Sequence, residues 1–178
     1  MEIVEIFELC LYSVRYDSES VEYERLFNNW KDVDWLMSFF EEHSPEMDST
    51  FWGNVKDPEL ASARTYQEAY DLEEKIHNLV TNTKEKKQPD LDTYFKPLGG
   101  EFAYVWEYTP MKAYGPESPS LLRLYAIKLQ ANCYIITGGG VKYCKEMKDS
   151  PELEVELSKI KQVREFLIKN AIIDNEDL

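Results

Sequence analysis

Two β-prone runs on either side of Asn132 constrain the fold of this chain more than any other feature. Residues 121–129 and 134–137 are rich in β-branched, aromatic and aliphatic side chains, and Asn favours turns. A Pro- and Ser-containing turn at 116–120 precedes the first run, and residues 102–108 form an aromatic, β-prone segment before it. The pattern predicts an antiparallel meander.

The N-terminal half alternates between strand and helix patterns. Residues 3–16 are apolar on both parities, which predicts a strand covered on both faces. Apolar residues at helical spacing then predict one helix over about 20–43 and a second over about 57–81, the latter begun by an Asp-Pro pair. A Ser-Pro pair starts a last helix at 151–170 by the same logic.

These elements predict an α+β fold with the order β-α-α-β-β-β-α, a mainly antiparallel sheet packed against two long helices. A length of 178 residues is typical of one domain, so we expect a single domain over 1–178. Its helical half would span about 17–90. Its sheet half would span about 91–148 and include the N-terminal strand.

The distribution of charge singles out the strands. The chain carries a formal net charge of −14, which argues against a protein that coats nucleic acid nonspecifically. Residues 101–148 nevertheless contain more Lys and Arg than Asp and Glu, whereas the flanking parts are acidic. We therefore expect an active site, where there is one, within 102–147.

The cysteines and the apolar runs exclude several classes of protein. Cys10, Cys133 and Cys144 are odd in number and share no short ligand spacing, so neither a disulfide framework nor a zinc site is indicated. No apolar run approaches the roughly 20 residues that a membrane-spanning helix needs. The first residues lack the basic start of a signal peptide, and we expect a cytoplasmic protein without a membrane contact or a cofactor.

The order of elements and several short motifs together resemble a known family of proteins. The order is a strand, two helices, a Lys-Pro-Leu element, a hairpin that carries Arg, a strand with a Gly-rich turn and Lys, and a helix started by Pro. The motifs are Trp106-Glu107-Tyr108, Leu122-Arg123-Leu124-Tyr125, Ile135-Ile136-Thr137-Gly138-Gly139-Gly140-Val141-Lys142 and Pro151-Glu152-Leu153. The family is the RelE/HigB superfamily of toxins from toxin–antitoxin systems, and residues 91–165 carry most of the resemblance.

The resemblance implies a RelE/ParE-like fold and a ribosome-dependent mRNA interferase, a metal-independent endoribonuclease that cleaves RNA by attack of the 2′-hydroxyl. Such a reaction needs a proton acceptor, cations around the charged phosphorane and a proton donor for the leaving oxygen. Arg123 matches the family's strand Arg near the scissile phosphate, and Lys142 matches its basic position after the Gly-rich turn. Tyr143 or Tyr125 would donate a proton or stack on a base.

Further lysines and several partners follow from the same resemblance. Lys112, Lys128 and Lys145 are candidates for binding RNA phosphates. The implied partners are a helix-turn-helix antitoxin, the ribosome and its mRNA, and a second copy of the chain is a further candidate. The alternative is a noncatalytic protein-interaction module on the same scaffold, which burial of Arg123 in an ion pair would favour over a clustered, concave site.

Three other patterns carry structural interpretations as well as functional ones. Residues 138–140 lack the spacing of a nucleotide-binding loop, so a turn or a bulge is expected there. Glu74 and His77 have the spacing of a di-iron motif, but a second copy is missing, which favours a structural role. The aromatic residues at helical spacing predict core packing, with a ligand pocket or a partner contact as the alternatives. They are Trp30, Trp35, Phe39 and Phe40.

Overall fold

A computed structural model describes residues 1–17, 20–43, 57–99, 108–116, 119–143 and 151–178 of the chain. Within these ranges six strands form one sheet in the order β1-β2-β6-β5-β4-β3. The α+β class is therefore confirmed. The strands are β1 Glu2–Phe7, β2 Leu11–Arg15, β3 Lys96–Pro97, β4 Thr109–Tyr114, β5 Leu122–Gln130 and β6 Cys133–Val141. The helices are α1 Glu22–Trp30, α2 Val33–His43, α3 Pro58–Lys84, α4 Leu91–Tyr94 and α5 Pro151–Lys169, followed by a 3-10 turn at Asn175–Asp177.

The N-terminal segment is a hairpin, so the prediction of one strand over 3–16 is wrong. Strands β1 and β2 pair antiparallel around a turn in which Leu9 adopts a positive φ of 66°. The apolar residues at even and odd positions were assigned to the two faces of a single strand. The chain instead reverses direction in the middle of this segment. The hairpin places β2 inside the sheet and leaves β1 at its edge.

The helix predicted over 20–43 is two helices, because Asp32 starts a new one. The Asp32 carboxylate accepts hydrogen bonds from the backbone N–H groups of Asp34 (2.9 Å) and Trp35 (3.0 Å), which is the contact of an N-cap. The next helix agrees with its prediction. Asp57 caps α3 by accepting from the N–H of Glu59, and Pro58 occupies the first turn.

The sheet is mainly antiparallel, as predicted, but the element order β-α-α-β-β-β-α lacks β1, β3, the short helix α4 and the break between α1 and α2. Strands β5 and β6 form the predicted antiparallel pair, and Asn132 turns between them with a φ of 55°. Strand β4 pairs antiparallel on the other side of β5. Strand β2 pairs parallel to β6. The β-prone segment 102–108 lies outside the described residues except for Tyr108, and the strand observed here begins at Thr109.

Strand β6 runs through the glycines that were expected to form a turn. Tyr125 on β5 pairs with Gly138, whereas Ala126 pairs with Ile136, so Thr137 is an extra residue on β6. That arrangement is a β-bulge, which was the other structure predicted for this segment. The strand therefore extends to Val141.

Helices cover both faces of the sheet. Helices α1, α2 and α3 pack on one face in a core that contains Trp30 and Phe40, which confirms the predicted core role of these two rings. Trp35 and Phe39 are only partly buried against that core. Helix α5, close to the predicted 151–170, covers the other face. Among the described residues no helix has the length and apolar character needed to cross a membrane.

Candidate functional site

Neighbouring strands bring several of the predicted site residues to one face of the sheet. In the backbone register, Lys112 on β4 lies opposite Tyr125 on β5, and Tyr114 lies opposite Arg123. On the other side of β4, Lys96 of β3 lies opposite Lys112. Residues directly opposite each other project to the same face of a sheet. We call Lys96, Lys112, Tyr114, Arg123 and Tyr125 the basic sheet face.

The two lysines of the basic sheet face form an unfavourable pair. Like charges directly opposite each other on adjacent strands destabilise a sheet. Lys96 is exposed and Lys112 is partly buried, and neither forms an ion pair with another described residue. The Lys112 Nζ lies 5.5 Å from the centre of the Tyr114 ring. An anion bound between the two ammonium groups would relieve their repulsion.

Arg123 is held in place by the start of its own strand. Its side chain is buried, with 7% of the residue exposed, and its Nη1 donates to the carbonyl oxygens of Ser120 (2.8 Å) and Leu122 (2.7 Å). The guanidinium carbon lies 4.3 Å from the centre of the Tyr114 ring. Burial lowers the pKa of Arg123, and the nearby Tyr114 opposes that shift. Arg123 therefore lies on the basic sheet face, but its side chain is buried.

Two further predicted residues lie at or near this face, and a third does not. Tyr125 is fully buried in the core beneath α5. Lys142 follows β6 directly, and its backbone N–H donates to the Leu121 carbonyl oxygen at 2.7 Å, beside the start of β5. Tyr143 is buried on the opposite face, where its ring lies 4.3 Å from that of His43. The structure thus separates Tyr143 from Arg123.

Lys128 and Lys145 are not part of this arrangement. Lys128 alternates with Arg123 along β5 and faces the other side, where its Nζ lies 2.8 Å from the Asp92 carboxylate. Because that carboxylate already neutralises it, Lys128 is a poor candidate for binding phosphate. Lys145 lies outside the described residues.

A cleft of about 600 Å³ opens where β2 separates from β6. The parallel pairing of these strands ends at Ser13 and Ile136, so the later part of β6 has no strand neighbour on that side. Side chains take over the backbone contacts there. The Tyr16 hydroxyl donates to the Thr137 carbonyl oxygen at 2.9 Å, and the Glu156 carboxylate accepts from the Gly139 N–H at 2.9 Å.

Four charged side chains form a closed cluster in the wall of this cleft. Lys159 binds the Glu156 carboxylate at 2.7 Å and the Glu22 carboxylate at 3.3 Å. Arg25 donates to both oxygens of Glu22, at 2.8 and 3.0 Å. Both glutamates are almost fully buried. A buried charge without an ion-pair partner strongly destabilises the folded state. The cluster therefore ties α1 and α5 to β6.

Glu156 is a buried carboxyl group in the wall of the cleft whose pKa is shifted. Burial raises the pKa of Glu156, and the adjacent Lys159 ammonium opposes the shift. A carboxyl group with a raised pKa in a concave site is suited to donating or accepting a proton. The position of the Glu156 carboxylate also explains the glycine at position 138, because a Cβ there would lie 1.7 Å from the Glu156 Oε2. Glycine at this position therefore makes room for the carboxylate.

These glutamates were not predicted from the sequence, although a signal was present. Glu156 lies among the apolar positions of α5, and Glu22 lies among the buried positions of α1. Glu68 likewise lies on the buried stripe of α3, where it is completely inaccessible. A carboxylate on the apolar stripe of an amphipathic helix predicts a buried, partnered charge. Lys96 was missed because only the register of β3 places it beside Lys112.

Neither a metal nor a known relative helps to assign the site. Among the described residues no group of three or more His, Cys, Asp or Glu side chains could hold a metal ion. Glu74 and His77, whose spacing is that of a di-iron motif, belong to no such group there. No protein-family model, curated protein or solved structure matches the chain.

Proposed function

We propose that this chain is a RelE/HigB-like toxin that cleaves mRNA on the ribosome, with the basic sheet face as its RNA-binding surface. The observation that carries the proposal is the register of β3, β4 and β5, which aligns Lys96, Lys112 and Arg123 with two tyrosines on one face. Cations interleaved with aromatic rings suit a strand of RNA, since the cations meet phosphates and the rings meet bases.

Four members of the face and the neighbouring Lys142 have distinct roles in this proposal, whereas Tyr125 is fully buried and contacts no RNA. Lys96 and Lys112 bind successive phosphates, which also removes their mutual repulsion. Tyr114, with 39% of the residue exposed, offers a ring on which a base can stack. Arg123 uses only Nη1 for its hydrogen bonds to described residues, so its Nη2 and Nε retain donors for the scissile phosphate. Lys142 adds a cation beside the first residue of β5.

The negative net charge of the chain is the reason why the proposal includes the ribosome. A net charge of −14 repels free RNA, and phosphate contacts supply most of the affinity of nonspecific RNA binding. An mRNA already held by the ribosome does not have to be captured from solution. We therefore infer that cleavage requires ribosome-bound mRNA and that naked RNA is a poor substrate.

Burial of Arg123 and Tyr125 favours a second candidate function, a noncatalytic protein-interaction module. An Arg that supports the carbonyl oxygens of Ser120 and Leu122 stabilises the turn before β5 whether or not it meets a phosphate. In this alternative the exposed part of the face, from Lys96 to Tyr114, binds an acidic partner protein. The two functions differ in whether RNA is cut.

Growth under induced expression in a bacterium tests the proposal first. We expect the unmodified chain to arrest growth, and Arg123→Ala together with Lys142→Ala to relieve the arrest. Because Arg123 is buried, the thermal unfolding of that variant is measured alongside.

Lys112→Gln changes a partly buried lysine of the same face and should also weaken the arrest, whereas the matched change Lys128→Gln on the opposite face should not. Growth without arrest by the unmodified chain would refute the toxin function.

Analysis of RNA ends separates the two candidates. Attack by a 2′-hydroxyl displaces the 5′-oxygen and leaves a 2′,3′-cyclic phosphate and a 5′-hydroxyl. We expect these ends on ribosome-bound mRNA incubated with the purified chain. Arrest of growth without new RNA ends would instead support the interaction module.

A further inference from the structure

A second cavity, of about 430 Å³, lies between β1, α1 and α3. Strand β1 and strand β3 are the two edges of the sheet, so this cavity and Lys96 lie at opposite edges. The cavity is therefore separate from the basic sheet face. Its wall consists of aromatic rings, an imidazole and two carboxylates, from Phe7, Tyr23, Tyr70, Glu73, Glu74 and His77.

The rings of this cavity meet at nearly right angles. The planes of Phe7 and Tyr23 are 88° apart with ring centres 6.4 Å from each other, and those of Phe7 and His77 are 80° apart at 5.8 Å. Tyr70 is exposed on α3 and supplies another ring. The faces of Phe and Tyr rings carry negative electrostatic potential and attract cations. Rings placed as adjoining walls present several such faces to one enclosed group.

One ring and one carboxylate of the cavity wall already hold an ammonium group of the chain. The Lys31 Nζ lies 4.5 Å from the centre of the Tyr70 ring and forms an ion pair with Glu73. Lys31 is not part of the cavity wall. Glu74, in contrast, is exposed and forms no ion pair with another described residue. The cavity thus has an uncompensated negative charge beside its aromatic walls.

A buried hydroxyl in the cavity wall has no hydrogen-bond partner in the part of the chain that the structure describes. Tyr23 is 6% exposed, and its hydroxyl makes no hydrogen bond to a described residue. Burial raises the pKa of Tyr23 and the nearby Glu73 carboxylate raises it further, so the phenol stays protonated. Buried polar groups in proteins are nearly always hydrogen-bonded. This group indicates a partner with its own polar atom.

We propose that this cavity is a binding site for a small organic ammonium cation that also carries a hydrogen-bonding group. The aromatic walls and Glu74 hold the cation, and the Tyr23 hydroxyl binds the polar group. The acidic chain favours the approach of such a ligand over that of an anion. The site does not depend on RNA cleavage by the basic sheet face.

Titration of the purified full chain with three small molecules tests the site. Choline has a quaternary ammonium and a hydroxyl, 3,3-dimethylbutan-1-ol is its neutral analogue of similar shape, and putrescine is a primary diamine. Binding is followed by NMR chemical shifts at the cavity residues. We expect saturation by at least one of the two cations in the millimolar range or tighter, and no saturation by the neutral alcohol. The stronger cation tells whether the site is built for a methylated or a primary ammonium.

Two variants locate the binding. Glu74→Gln removes a charge without changing shape, and Tyr70→Leu removes a ring, so each should weaken binding about threefold to fivefold. Glu165→Gln, on the exposed surface of α5, makes the same change in net charge and should leave binding unchanged. Equal affinity for choline and its neutral analogue, absence of saturation by both cations, or equal effects of the Glu74 and Glu165 changes would each overturn the proposal.

Discussion

Glu156 takes the place of a strand at Gly139. Its Oε2 accepts the Gly139 N–H at 2.9 Å, just beyond the point where β2 stops pairing with β6. A buried backbone donor that loses its strand partner must find another acceptor. Here a helix provides it, and Lys159 forms an ion pair with the same carboxylate at 2.7 Å. The cleft can therefore open between two neighbouring strands without leaving this N–H unpaired.

Coupling between Gly138 and Glu156 is the first prediction. A Cβ at Gly138 would lie 1.7 Å from the Glu156 Oε2, so Gly138→Ala should lower the free energy of unfolding by about 2 kcal/mol. In the double variant with Glu156→Ala the clash is absent, and the loss should be smaller than the sum of the single losses by more than about 1 kcal/mol. Urea unfolding of the four proteins measures this coupling.

Gly115→Ala is the matched control for that cycle. Its Cβ would lie 1.9 Å from the Oε1 of Glu68, a different carboxylate that a change at Glu156 does not remove. The substitution should destabilise the chain by a similar amount with or without Glu156→Ala. Equal coupling at both glycines would show that the effect does not come from the Glu156 carboxylate.

Glu68 gives the second prediction, a dependence of stability on pH. Burial raises the pKa of Glu68, while hydrogen bonds from Ser120 and Leu121 and the charges of Arg64 and Arg123 oppose the shift. The folded chain then holds its proton more tightly than the unfolded chain. The contribution of Glu68 to stability is therefore fully present below its ordinary pKa and is lost as pH rises through the folded pKa.

Glu68→Gln should remove that dependence. The amide stays neutral, so the variant should gain stability relative to the unmodified chain as pH rises from about 4.5, by about 1.4 kcal/mol for each unit of pKa shift. Urea unfolding across this range measures the difference, and Glu165→Gln on the exposed surface of α5 should show none of it. A difference between the Glu68→Gln and unmodified chains that stays constant with pH would contradict the prediction.

Most helices and the central strands could be predicted because their signals are local. The Asp57 cap, the turn at Asn132 and the apolar stripes of α3 and α5 depend on a few neighbouring residues. The hairpin at Leu9 was missed because Leu gives no turn signal, and the pairing of β1 with β2 compensates for its strained φ. The break before α2 was missed because a single Asp side chain makes it.

The sites were less predictable because they depend on register and on contacts between distant elements. The sequence placed Arg123, Lys112 and Tyr125 among the candidates, but only the pairing of β4 with β5 shows that they share a face. It also placed Lys128 and Tyr143 among the candidates. Because side chains alternate along β5, Lys128 lies on the other face, and Tyr143 packs there against His43 of α2. Glu156 contacts Gly139 of β6, which lies 17 residues earlier in the chain. No local sequence pattern spans that separation.

Leu9 provides the third prediction, a gain in stability. Leu9 is exposed, and its φ of 66° is unfavourable for a residue with a branched side chain. Leu9→Asn should raise the free energy of unfolding by about 1 kcal/mol, because Asn tolerates the left-handed region. Leu9→Ala removes the same exposed apolar group but keeps the strain, so it should give little gain. Equal effects of both changes in urea unfolding would assign the gain to lost apolar surface instead.

Lys96 yields the last prediction, in which stability and function change in opposite directions. Lys96→Glu replaces the repulsion across β3 and β4 with an ion pair to Lys112, so the free energy of unfolding should rise by about 0.5 kcal/mol at low salt. The gain should largely disappear in about 1 M salt, where exposed charges are screened.

The same change places a carboxylate where we propose that RNA phosphates bind, and it should weaken the growth arrest. Lys161→Glu, an exposed change on α5 with the same effect on net charge, should leave the arrest intact. Because loss of folding cannot explain a weaker toxin that is more stable, an undiminished arrest by Lys96→Glu would exclude this edge of the sheet from RNA binding.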